Sequence, residues 1–161
     1  MSDKNAKLLS VLKLQPVVPV LIIDDVKTAV PLARALVAGG LKAIEITLRT
    51  PAALEAILAV ANEVEGAVAG AGTILNAAQF EAAVEAGSQF IVSPGTTQEL
   101  IDAASDSDIP LLPGAATASE VMGLREEGYE VLKFFPAEQA VAYGLVDEVL
   151  VYLAPVLLGG P

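Results

Sequence analysis

The chain has no cysteine, no histidine and no tryptophan, and aromatic residues make up only 4% of its 161 positions. Without cysteine there are no disulfides and no thiol chemistry, which fits a reducing cytoplasm. Without histidine, Ser-His triads, histidine bases and the usual zinc sites are excluded together. Lysine, carboxylate, hydroxyl and backbone are the groups left for catalysis. Positive charge is scarce as well: 9 Lys and Arg stand against 20 Asp and Glu, a net charge of −11. That balance argues against a nucleic-acid or anionic-membrane partner, although a local basic group can still hold a small anionic substrate. The first residues are polar and charged, without the apolar stretch of a signal peptide. No uninterrupted apolar run reaches the roughly 18 residues of a membrane-spanning helix.

Hydrophobic residues fill 54% of the chain, mostly Ala, Val, Leu and Ile, as expected of an α/β protein with buried parallel strands. The length suits a single domain, residues 1–161, with a sizeable core. An amphipathic lead-in helix is expected within residues 1–15, with Leu8, Leu9, Leu12 and Leu14 on its apolar side. One pattern then recurs: a short apolar strand, a loop and a helical stretch, repeating every roughly 20–26 residues. The strands are expected at 17–23, 43–47, 67–71, 90–93 and 110–112, with a sixth around Lys133. The helix after the first strand opens at Asp24 or Asp25, stops at Gly39-Gly40, and carries Val26, Ala29, Val30, Ala33 and Val37 as its stripe. The next opens with Thr50 as N-cap and Pro51 in the first turn. Later helices begin near Asn76 with Gln79, and at the capping-box pairs Thr96 with Glu99 and Thr117 with Glu120.

Helices alternating with buried strands make parallel βαβ units joined by right-handed crossovers. Six such units predict an incomplete (β/α)8-type barrel, with one further strand from the tail at 147–153. The alternative is an open, flavodoxin-like parallel sheet. In either architecture ligands sit beyond the carboxyl ends of the strands. That is where the unusual residues gather: 45–49, 70–73, 93–95, 113–115 and 133–136. Six or seven strands do not close an eight-stranded barrel, so the open sheet edge is expected to pair with another copy and give a homo-oligomer.

Lys133 lies in the strand-length apolar run Val131-Leu132-Lys133-Phe134-Phe135, ended by Pro136. Desolvation there disfavours the ammonium, and a neutral amine in an apolar pocket can add to a carbonyl and form a Schiff base. The competing role is a lysine that snorkels to water from the strand's end. Glu45 shares one side of its strand with Ala43 and Thr47, opposite Ile44 and Ile46, so its carboxylate must be paired or working. Arg49 is either its ion-pair partner or a two-pronged holder of a substrate carboxylate or phosphate. Ala-Gly-Ala-Gly-Thr at 69–73 lets backbone approach a ligand and offers the Thr73 hydroxyl, or is an ordinary helix start. It lacks the full Gly-x-Gly-x-x-Gly of a nucleotide site. Ser93-Pro94-Gly95 and Pro113-Gly114 read as turns. A lysine nucleophile, a carboxylate proton shuttle and anion-friendly loops suit condensation with a 2-keto acid such as pyruvate, and a carbon–carbon bond made or broken through an enamine.

Seven motifs, in order, carry a family resemblance: Val-Val-Pro-Val (17–20), Ala-Leu-Val-Ala-Gly-Gly (35–40), Ile-Glu-Ile-Thr-Leu-Arg-Thr (44–50), Gly-Ala-Gly-Thr-Ile-Leu-Asn (70–76), Phe-Ile-Val-Ser-Pro-Gly (90–95), Pro-Leu-Leu-Pro-Gly (110–114) and Lys-Phe-Phe-Pro-Ala-Glu (133–138). Through them residues 15–138 closely resemble the 2-keto-3-deoxy-6-phosphogluconate (KDPG) aldolase family, which also handles 4-hydroxy-2-oxoglutarate (KHG). The resemblance implies a class I aldolase on a (β/α)8 barrel, usually trimeric, that needs no metal or other cofactor and cleaves KDPG to pyruvate and glyceraldehyde 3-phosphate. It implies Lys133 as the Schiff-base lysine and Glu45 as the general acid/base. Arg49, Thr73 and Pro94 would line the keto-acid site, with Thr73 near the pyruvyl carboxylate and Phe135 as a pocket wall.

Past residue 138 the sequence departs from the family pattern, and the glycine-rich loops that bind the substrate phosphate are not recognisable. Residues 144–160 instead resemble a stretch of the riboflavin-biosynthesis reductase domain, without that domain's cofactor site. The expectation is an engineered or recombined chain: aldolase-like βα repeats over 1–138 and a foreign tail strand within 139–161. Its aldolase activity would be weakened by the missing phosphate contacts. A chimeric scaffold without activity is the alternative.

Overall fold

The computed structural model describes residues 2–134. Helix α1 (Ser2–Leu12) precedes strand β1 (Val20–Leu21). The chain continues through α2 (Val26–Ala38), β2 (Ala43–Thr47), α3 (Ala53–Glu63), β3 (Val68–Gly72), α4 (Ala77–Glu85), β4 (Phe90–Val92), α5 (Gln98–Ser105), β5 (Leu111–Leu112), β6 (Gly114–Ala115), α6 (Ala118–Glu126) and β7 (Lys133–Phe134). The strand pairs are parallel. One sheet runs β1-β2-β3-β4-β5, and β6 pairs with β7 in a second ladder. β5 and β6 are one strand interrupted at Pro113, so Lys133 lies on the strand that follows. This sequential order corrects the flavodoxin-like alternative, whose strand order reverses at a switch point. It is the order of a barrel wall, which is not closed among the described residues. Phe135 and the expected tail strand lie outside them.

Alternation along the strands sorts two cores. Ile44, Ile46, Ala69, Ala71, Ile91 and Leu111 belong to the larger one, with Ala29, Ala33, Ile57, Val60 and Phe80 of the surrounding helices. Ala43, Phe90 and Val92 face the other way, into the barrel interior. There they meet Leu8 of α1, with Val11, Leu12, Val18, Val68, Leu112 and Val131 around them. The apolar face of α1 therefore stoppers the amino-terminal end of the barrel. Polar bonds hold the stopper. Lys4 Nζ donates to the Ala104 and Ser105 carbonyls, both at 2.8 Å, at the negative end of the α5 dipole. Asn5 Nδ2 donates to the Gly128 carbonyl at 2.9 Å, and its Oδ1 accepts from the Glu130 amide at 3.3 Å. Buried Gln15 donates to the Val17 and Ala43 carbonyls and accepts from the Lys42 and Ala43 amides. The lead-in is thereby locked to the start of β2.

Helix starts follow the sequence at Asp25, which accepts from the Lys27 amide, and at Asn76, which accepts from the Gln79 amide. Thr117 and Glu120 form the expected capping box. Two expectations are corrected. Thr50 does not cap α3, which begins at Ala53 without a side-chain cap; its hydroxyl donates to the Ile23 carbonyl instead. Thr97 rather than Thr96 caps α5, because the Thr96 hydroxyl is bonded to the Gly114 carbonyl. The first strand, expected over 17–23, pairs with β2 only through Val20 and Leu21. Pro16 and Pro19 have no N–H to give a ladder.

Leu8 tests whether the stopper is part of the core. Leu8→Ala is expected to lower stability by about 2–4 kcal/mol, the cost of a cavity at a buried leucine, read from the urea midpoint. A change below about 0.5 kcal/mol, the size of an ordinary surface substitution, would show the helix to be an accessory.

Candidate active site

β2 carries Glu45 on its interior face, where the residue is only 5% exposed. Burial pushes its carboxyl above the usual carboxylate range; the positive charges of Lys133 and then Arg49 pull it back only in part. Space for the side chain comes from β3, where Gly70 lies opposite Glu45 and Gly72 opposite Thr47. A methyl group on Gly72 would fall on the Glu45 carboxyl, and one on Gly70 on the Phe90 ring. These two glycines are required for what they lack in side chain.

Just past β3, Thr73 has φ +58°, the left-handed region that a β-branched residue enters at a cost. Arg49 Nε donates to the Thr73 hydroxyl at 3.2 Å. Arg49 acts in two directions. Its charge acts on Glu45, second to that of Lys133, while its Nε ties the loop after β2 to the loop after β3. Strain kept in a loop beside a buried acid is characteristic of functional sites.

Lys133 is half-buried on β7, opposite Gly114, and its amide donates to the Pro113 carbonyl at 2.9 Å. Half-buried Pro94 reaches the same place from β4: its carbonyl occupies the position a Gly114 side chain would take. The structure thus gathers Glu45, Lys133, Arg49, Thr73 and Pro94 at the carboxyl-terminal mouth of the barrel wall; Phe135 lies outside the described residues. Sequence reasoning passed over Gly72 as the seat of Glu45, and Ser93 and Thr96 as ligands of the Gly114 peptide. The signal for the first was a glycine one strand on, on the same face as a buried acid. Among the described residues no group of three His, Cys, Asp or Glu is placed to hold a metal, and no helix is long and apolar enough to cross a membrane.

Fold and site together define an α/β protein of barrel type with a buried acid on which the charge of a lysine acts. The family described as "Aldolase: KDPG and KHG aldolase" matches residues 8–151, and the chain belongs to it. The KHG/KDPG aldolase of Escherichia coli K12 is 50% identical over 129 residues, 80% of this chain and 61% of that protein. The 2-dehydro-3-deoxy-phosphogluconate aldolase of Zymomonas mobilis is 54% identical over 129 residues, 80% and 62% of the two. A solved KDPG aldolase from Legionella pneumophila, with pyruvate captured at low pH as a covalent carbinolamine intermediate, is 45% identical with a TM-score of 0.79, covering 82% of this chain and 64% of that one. The chain spans about three fifths of the length of the curated relatives it matches.

Two outcomes follow from the geometry. Because burial raises the Glu45 pKa, the folded chain keeps that proton to higher pH than the unfolded one. Stability therefore falls as pH climbs from about 4.5 through the raised native value. The melting-temperature difference, Glu45→Gln minus wild type, should grow over that interval and then level off; parallel profiles would mean a solvated carboxyl. Thr73→Gly should gain about 0.5–1 kcal/mol in urea, once glycine's greater chain entropy is set against the left-handed strain it relieves.

Proposed function

We propose that this chain is a class I aldolase for 2-keto acids, in which Lys133 forms the Schiff base and Glu45 moves the protons. The observation that carries this reading is the dry Glu45 carboxyl, on which Lys133 is the leading positive charge. The Lys133 amine adds to the C2 carbonyl, and the carbinolamine loses water, its hydroxyl leaving with a proton from Glu45. In the cleavage direction the Glu45 carboxylate takes the C4 hydroxyl proton. The C3–C4 bond then breaks, and its electron pair flows into the iminium. An aldehyde leaves, the enamine takes a proton at C3 from Glu45, and water releases pyruvate from Lys133. A carboxyl raised towards neutrality both gives and takes protons well, the condition a shuttle must meet.

Arg49, Thr73 and Pro94 line the keto-acid side in this reading, with Thr73 towards the pyruvyl carboxylate and Phe135 as a further wall. The substrate is KDPG or KHG, supported by the names of the Escherichia coli and Zymomonas relatives and by the pyruvate captured in the Legionella enzyme. The family match runs to residue 151; on the reading that the family's phosphate loops are not completed within 139–161, cleavage of KDPG by this chain is expected to be weak, because remote binding energy acts at the reacting centre. A recombined origin belongs to the same reading, and an inactive scaffold is what remains if no chemistry is found. Self-association through the β1 edge, where Val17, Val20 and Ile22 are exposed, and a cytoplasmic setting complete the proposal.

Incubation with pyruvate and borohydride, followed by mass measurement of the intact chain, is the test. A reduced pyruvate adduct is expected, absent from Lys133→Ala and formed about a hundredfold more slowly in Glu45→Gln. No adduct at any pH would leave only the scaffold.

A further inference from the structure

β4 and β5 pair through Leu112, and the Ser93 amide donates to the Leu112 carbonyl at 3.2 Å. Pro113 then has no N–H to offer. One residue on, Gly114 has turned its pairing to the opposite side: it stands across from Lys133, whose amide donates to the Pro113 carbonyl. In a parallel ladder the residue bridged in this way directs its own N–H and C=O away from that partner, here towards β4. Two hydroxyls meet them. The Gly114 amide donates to Ser93 Oγ at 3.3 Å, and Thr96 Oγ1 donates to the Gly114 carbonyl at 3.0 Å. The hydroxyls themselves lie 3.4 Å apart.

Ser93 and Gly114 are buried and Thr96 is half-buried. A buried peptide left without partners is costly, so the two side chains replace a backbone rung that β4 does not supply. Helix capping makes no demand on Thr96, since Thr97 caps α5. Gly114 is pressed directly on the loop, for the Ser93 and Pro94 backbones occupy the place of its missing side chain.

We propose that Ser93 and Thr96 are positioning residues for Lys133: their hydroxyls hold the Gly114 peptide, and that peptide sets where Lys133 stands in the barrel wall. Its effect on the reaction rests on the Schiff-base reading of Lys133; its effect on the backbone does not.

The test measures amide hydrogen exchange and pyruvate trapping in the same variants of the full chain. Thr96→Val and Ser93→Ala should each speed exchange at the Lys133 amide about fivefold, as the loss of one neutral hydrogen bond implies. The Ile91 amide, bonded to the Pro110 carbonyl, should not change. Thr96→Ser, which keeps the hydroxyl, should behave as wild type. The limiting trapping rate at saturating pyruvate should fall by a similar factor in the first two variants, with the half-saturating concentration unchanged. Exchange at Lys133 that stays the same in Thr96→Val, or rises equally at Ile91, would overturn the proposal. A wild-type chain that traps no pyruvate would instead sink the Schiff-base reading, and the exchange comparison would still judge the clasp.

Discussion

Glu45 is held nearly dry in the field of two positive charges, and much of the surrounding structure follows from the demands of that placement. A carboxylate taken out of water loses hydration that only charge or hydrogen bonds restore. Lys133 and Arg49 supply charge, yet burial remains the larger effect and the carboxyl stays raised. The next strand must then be thin where the carboxyl lies, which explains why β3 reads Val-Ala-Gly-Ala-Gly. Its alanines face the helices, Gly72 faces the acid, and Gly70 makes room for the Phe90 ring.

The same demand accounts for strain in one loop and order in another. Leaving β3, the chain turns through a left-handed Thr73, a conformation glycine would take more cheaply. A threonine there provides a hydroxyl that Arg49 reaches, and the local cost is borne by the packed sheet and helices around it. On the far side, Pro113 breaks the fifth strand just before the residue that pairs with Lys133. Such a break would loosen the strand that carries Lys133 if nothing replaced the missing rung. The two hydroxyls that bind Gly114 make the replacement.

Most of the wall was legible in the sequence because its signals are local. The alternation of Ala43 to Thr47 matched β2 residue for residue, and the Asn76–Gln79 and Thr117–Glu120 pairs marked true helix starts. What escaped was decided by tertiary contact. Thr50 and Thr96 have the chemistry of caps, but distant carbonyls at Ile23 and Gly114 compete for their hydroxyls. The role of Gly72 depends on a neighbour one strand away, and a glycine in a small-residue run does not announce whose side chain it accommodates. Lys133 and Glu45 were found through motif and parity, whereas their shared electrostatics needed the fold. No local signal says that the charge of Lys133 acts on the Glu45 carboxyl.

Barrel interiors are built in layers, and here the two layers differ in kind. At the amino-terminal ends of the strands lie Ala43 and Val68, with Val131 on the chain just before β7 and Leu8 of α1 in the same cluster. Two residues further along the same strands come Glu45 on β2, Gly70 on β3 and Lys133 on β7. The apolar layer lies directly beneath the polar one, and α1 covers its amino-terminal side. Desolvation is the largest influence on the Glu45 carboxyl, and an apolar layer beneath it is part of the low-dielectric surroundings that burial supplies.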